Sequence, residues 1–229
     1  MLLDVLSNNL ANLNTVGYKR DGVAFAETFE REMYVPGARF SRHVGSLGGG
    51  ATVAAEFTYS DTGPAISTGN PLDLMLEKPN QFLSVQTPQG IRYTRDGALR
   101  INSDGNLATR DGYAVLDINL REIRVGGPGE NQTVEITRSG VVLTGGTETA
   151  VLDVQEGSFR KVGRNLWSGN GMSVADPALL PATLEGSNVN AIHTMIQMIA
   201  LMRNFDSAQR AIRTQDEMTE RLLQSLASR

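Results

Sequence analysis

The chain contains no cysteine. Disulfides and thiolate metal sites are therefore excluded. The same absence suits a protein that crosses a membrane unfolded, because oxidation cannot trap it on the way. Concentrated positive charge is missing too: net charge is −4 and no Lys/Arg block stands out. Nucleic acid is excluded as an expected partner, since phosphate binding needs a concentrated basic surface. No uninterrupted apolar run is long enough to span a bilayer. The start lacks a charged segment followed by an apolar one, so any export is expected to proceed without a cleaved signal peptide. The two histidines, His43 and His193, have no Cys, Glu or second His at metal-ligand spacing. No nucleophile-elbow motif accompanies them. His193 lies beside an apolar helical pattern, and His43 falls in "RFSRHVGS", read as a loop.

What is present divides into three zones, and together they predict an α+β fold. The first zone, residues 1–17, opens with "LDVLSNNLANLNTVGYKR". Leu3, Leu6, Leu10 and Leu13 recur at helical spacing and form a seam of coiled-coil type. Gly17 is expected to end this helix in the left-handed conformation. A helix so short is marginal alone in water and needs a partner. Asn8 and Asn12, four apart, share a face beside the seam, with Asn9 nearer the opposite flank. Such amides either fix helix register when buried or simply favour a polar helix end.

The second zone, residues 18–185, reads as β-rich with Gly-rich loops. In "IRYTRDGALRINSDGNLATRDGYAVLD" the pairs Asp96-Gly97, Asp104-Gly105 and Asp111-Gly112 come at short, regular intervals. Asp-Gly supplies the positive φ of tight hairpins, so Gly97, Gly105 and Gly112 are expected at turns of an antiparallel meander. The three aspartates are explained as turn residues rather than as a catalytic pair. "QFLSVQT", "TVEITRSGVVL" and "AVLDVQE" are further strand candidates. Gly45 to Gly50, Gly126 to Gly129 and Gly145-Gly146 are read as loops. "GSLGGG" lacks the Gly-Lys-Ser/Thr ending of a phosphate loop. Trp167 is expected to anchor the chain as it leaves this domain.

The third zone, residues 186–229, is one long helical pattern. Ile192, Met195, Ile199, Met202, Phe205, Ala208, Ile212, Gln215, Met218, Leu222 and Leu226 keep three-or-four spacing, and no Pro or Gly interrupts 189–227. At 1.5 Å per residue the helix would run on the order of 55 Å. Ser187, Asn188 or Asn190 can cap its start. Met195, Met198 and Met202 offer either an adaptable binding surface or helix packing. Neither terminal zone has enough local core to bury its own seam. The two ends are therefore expected to pair with each other and with other copies.

The opening stretch, "TGNPLDL", "VQTPQGIRYTRDGALRINSDGNLATRDGYAVL" and "LEGSNVNAIHTMIQMIALMRNFDSAQRAIRTQDEM" resemble, in order, motifs of the bacterial flagellar rod and hook protein family. This resemblance implies a non-enzymatic structural subunit without cofactor or metal. Its terminal helices would form the inner layer of a tube and its β-domain an outer layer. The implied partners are copies of itself, other rod and hook proteins and the flagellar export apparatus, with peptidoglycan or bushing-ring proteins as further contacts. The implied place is the basal body. The phrases "VQTPQGIRYTRDGA" and "MIALMRNFDSAQRAIRTQDEM" look closer to proximal-rod proteins; distal-rod and hook types are the alternatives. The family carries further residues ahead of its Leu-Asp-Val motif, so an upstream start is expected. "EKPNQFLSV", with Phe82 as its one aromatic, departs from the family's doubly aromatic segment. A competing reading is a cell-wall glycan-binding β-domain with oligomerising helices; a regulator or chaperone with a coiled-coil tail fits less well.

Overall fold

The computed structural model describes residues 1–27, 31–35, 42–47, 51–126, 133–163 and 165–227. It is α+β, with a helix towards each end and antiparallel strands between them. The chain divides into two compact units, one of residues 1–13 with 189–229 and one of residues 14–188.

The first unit holds α1 (Leu2–Ala11) and α2 (Ala191–Ala227), which lie against one another. α1 stops earlier than Gly17. Asn12 caps it, with its backbone N–H bonded to the Asn8 carbonyl. Thirty-seven residues of α2 run unbroken because nothing in the sequence stops them. Of the three candidate caps, Asn190 does the work: its Oδ1 accepts the backbone N–H of His193 at 3.0 Å.

The second unit begins with β1 (Asp21–Glu27), β2 (Arg31–Val35), β3 (Arg42–Leu47) and β4 (Ala51–Thr58). β1 pairs with β4, and β2 with β3. His43 thus sits in a strand rather than a loop, and the glycine run from Gly45 begins inside β3. Residues 48–50 and 127–129, also read as loops, lie outside the described residues. Next come β5 (Ala65–Ser67), β6 (Leu74–Leu76), β7 (Gln81–Thr87), β8 (Gly90–Thr94), β9 (Leu99–Ile101), β10 (Leu107–Thr109) and β11 (Ala114–Val115). They are followed by β12 (Val134–Ile136), β13 (Val141–Thr144), β14 (Thr147–Val151), β15 (Val154–Gly163), β16 (Leu166–Ser173), β17 (Leu179–Pro181) and β18 (Thr183–Glu185).

The principal sheet runs β15-β16-β8-β7-β11-β10-β9, and β15 also pairs with β7. β7, β8, β16 and β15 therefore close on one another as a ring. The Asp153 carboxylate ties this ring together, accepting the hydroxyls of Ser84 at 2.6 Å and Ser173 at 2.8 Å. Leu74, Leu83, Val85, Leu107, Val115 and Leu152 fill one continuous core with their neighbours. Trp167 is buried against Phe82, with ring centroids 5.1 Å apart. β17 and β18 return to pair with β6 and β5, which brings the end of the unit back onto its first half.

Two of the three Asp-Gly pairs make the expected left-handed turns: φ is 79° at Gly105 and 89° at Gly112. Gly97 is different. It is absent from the positive-φ glycines, and β8 and β9 are not neighbours, so no hairpin forms there. Its carbonyl accepts the Leu74 N–H, and a Cβ on Gly97 would collide with the Leu74 carbonyl. The glycine is needed for close approach of two backbones, not for a turn.

Candidate functional site

Two features stand out, one in each unit. The first is the surface of the helices. On α1 and the turn that follows it, Leu6 and Asn9 are buried, Leu10, Asn12 and Leu13 are partly sheltered, and Leu3 and Asn8 are exposed. Asn9, placed by helical spacing on the opposite flank, is thus an inward position. Asn8 and Asn12 do share a face. The Asn12 amide donates to the Asn8 carbonyl at 2.9 Å and to its Oδ1 at 3.1 Å, closing the helix end.

On α2 the sheltered positions are Ala191, Thr194, Met198 and Leu201, which follow one another at helical spacing. Of the apolar positions singled out in the sequence, Ile192, Met195, Ile199 and Met202 flank that line, whereas Phe205 and Ile212 continue it at seven-residue steps from Met198. Ile192, Met195, Ile199, Met202, Phe205, Ile212 and Met218 are all exposed, Ile192 by 73% and Phe205 by 62%. Leu222 is helical, but its side chain lies outside the described ones. An apolar ridge this long and this open is abnormal for an isolated soluble helix.

The second feature was not anticipated from sequence. Where the 14–188 unit begins and ends, three charged side chains meet out of reach of water. The Glu185 carboxylate takes Lys19 Nζ on Oε1 at 2.6 Å and Arg95 Nε on Oε2 at 2.8 Å. All three side chains are at most 1% exposed. Burial lowers the pKa of the Lys19 amine, and the neighbouring Arg95 charge lowers it further; Glu185 opposes both. Arg95 turns the rest of its guanidinium on backbone carbonyls. It donates to Gln81 at 2.7 Å, Leu76 at 2.9 Å, Lys78 at 2.9 Å and Pro79 at 3.0 Å. That fork of donors explains why arginine rather than lysine stands here.

Around this triad the two chain ends are sewn together. Gly17 N–H donates to the Glu185 carbonyl at 2.7 Å. Gly17 does have positive φ, 65°, but it serves this approach and not a helix end, because a Cβ there would strike the Arg95 carbonyl. Asn188 Oδ1 accepts the Arg20 N–H at 2.7 Å, and its amide donates to the carbonyls of Tyr59 and Asp61. Lys161 Nζ bonds the Lys19 carbonyl and Asp21. Among the described residues no cluster of His, Asp or Glu could hold a metal ion, and no helix is long and apolar enough to cross a membrane.

Three family models match the chain. The flagella basal body rod protein model covers residues 3–19, the flagellar hook protein FlgE/F/G D1 domain covers 79–144, and the flagellar basal body rod FlgEFG protein C-terminal model covers 181–225. Lys19, Arg95 and Glu185 fall one in each. The flagellar basal-body rod protein FlgG of Bacillus subtilis is 30% identical, over 96% of this chain and 92% of its own length. FlgG of Agrobacterium fabrum is 31% identical, over 94% and 90%. FlgF of Rhizobium meliloti is 30% identical, over 98% and 91%.

Proposed function

Since the chain belongs to the flagellar basal-body rod protein family and is a structural subunit of that rod, we propose that it polymerises through its two terminal helices into the axial shaft between motor and hook. The observation that carries this reading is the open apolar ridge of α2. Each large apolar side chain on it contributes about 1.5–3 kcal/mol when fully buried. Ile192, Met195, Ile199, Met202, Phe205, Ile212 and Met218 are therefore the contacts we assign to pairing and assembly, with α1 supplying Leu3, Leu6 and Leu10, and the turn after it Leu13. The helices pair as a coiled coil completed by neighbouring copies, and the amides of Asn8, Asn9 and Asn12 fix register in that wall.

Head-to-tail contacts that do not close into a ring generate a helical filament. The 14–188 unit then forms the outer layer, where peptidoglycan or bushing-ring proteins are its neighbours. The role is non-enzymatic. The subunit passes through the flagellar export apparatus unfolded, to which the lack of cysteine is suited. We favour the proximal rod, on the phrases "VQTPQGIRYTRDGA" and "MIALMRNFDSAQRAIRTQDEM"; a distal-rod position is the second choice.

Electron microscopy of basal bodies from a strain lacking the gene tests this. A rod that stops short, without hook or filament, is expected, and its length assigns the proximal or distal position. Complete, rotating flagella would overturn the reading.

A further inference from the structure

We propose that Lys19 and Arg95 form an electrostatic gate on folding of the 14–188 unit, which stays open until Glu185, near the unit's far end, arrives between them. Glu185 lies 166 residues after Lys19 and 90 after Arg95. Both cations bond to the two oxygens of one carboxylate, so without it they would face one another at close range in a dry interior. Backbone carbonyls from Asp61 and from residues 76–81 compensate them only in part. Two buried like charges of this kind oppose closure of the site.

The same final segment brings the remaining closing bonds: Gly17 to the Glu185 carbonyl, Gly186 to the Pro64 carbonyl, and Asn188 to Tyr18, Tyr59 and Arg20. A chain that emerges from its N-terminal end, from the ribosome or through a pore, therefore holds both cations long before it holds their counter-ion. Closure before residue 185 is penalised twice, by missing bonds and by repulsion. The use of this gate, keeping the subunit open during export, rests on the rod reading; the gate itself does not.

The test uses the full chain in four forms: unaltered, Glu185→Gln, Lys19→Met, and both together. Trp167, the single tryptophan, sits in the core of the unit and reports its unfolding. Glu185→Gln is expected to lower the midpoint by about 10 °C or more. Lys19→Met should lower the midpoint of the unaltered chain, yet raise that of the Glu185→Gln chain by several degrees. That reversal of sign shows that the Lys19 charge opposes closure whenever its counter-ion is absent, which lost packing alone would not do. Should Glu185→Gln alone show no cooperative transition, its reappearance in the double variant is the expected result. A Lys19→Met effect of the same sign in both backgrounds, or a double variant that never regains a transition, would overturn the proposal. Basal-body images play no part in these measurements, so failure of the gate and failure of the rod role are read separately.

Discussion

Lys19 Nζ and Arg95 Nε approach opposite oxygens of Glu185, at 2.6 and 2.8 Å, and so one carboxylate joins the beginning, the middle and the end of the 14–188 unit. Buried pairs of this type are weak evidence for net stability, but breaking one is costly because it strands the partner.

Arg95→Lys tests the fork of donors. A lysine keeps the charge but cannot reach Glu185 and the carbonyls of Leu76, Lys78, Pro79 and Gln81 together. The expected loss is about 3–5 kcal/mol, read as a fall in the urea midpoint of Trp167 fluorescence. A loss below about 1 kcal/mol would mean that charge alone suffices.

The ridge of α2 is probed by Ile199→Asp, with Leu10→Asp on α1 as companion. Ile199 is 53% exposed and lies outside the 14–188 unit, so the Trp167 melting curve should not move. Assembly should stop, because a carboxylate buried between helices has no partner. Motility plates and basal-body preparations give the readout. Normal swimming by a strain carrying Ile199→Asp would sink the assignment of this face.

Glycines 97 and 105 separate two physical causes. Gly105 has φ of 79°, and alanine there costs about 1–2 kcal/mol for the left-handed backbone alone. At Gly97 the added Cβ meets the Leu74 backbone carbonyl, which cannot move without disturbing β6. Gly97→Ala should therefore cost more than Gly105→Ala, and Gly97→Val more again. Equal chemical-denaturation midpoints for the two alanine variants would argue against the close-approach account.

These contrasts show what a sequence can and cannot carry. The extent of α2 was legible because an unbroken helical period with an Asn cap has few other meanings. Turns at Gly105 and Gly112 were legible because short strands flank both. Asp96-Gly97 carries the same letters, but its neighbours in space are set by β6 and not by sequence proximity. The face of α2 that is sheltered, through Thr194 and Met198, is less apolar than the one left open, so periodicity alone pointed to the open one. The charge triad was invisible for a different reason. Lone Lys, Arg and Glu residues are ordinarily solvated, and nothing local marks these three for burial. The one available signal was that each lies inside a stretch carrying the family resemblance.

Asp96 gives a pH prediction. Its carboxyl is pushed up to about 6, chiefly by burial, with Asp111 and Asp73 adding to the rise and the Ala98 N–H and Arg110 opposing it. The folded state therefore binds this proton more tightly than the unfolded chain, whose value is near 3.8. Stability from this group is fully present below about pH 4 and is lost as pH rises through about 6. Asp96→Asn removes the titration and keeps an acceptor for the Ala98 N–H, which Asp96 Oδ1 receives at 3.0 Å. Above pH 6 the variant should be more stable than the unaltered chain, by about 1–2 kcal/mol once partial solvent contact is allowed for. The gap should close as pH falls towards 4. Urea midpoints at pH 4.5 and 7.5 decide it, and a gap that widens on acidification would show that burial of this carboxyl is not what raises its pKa.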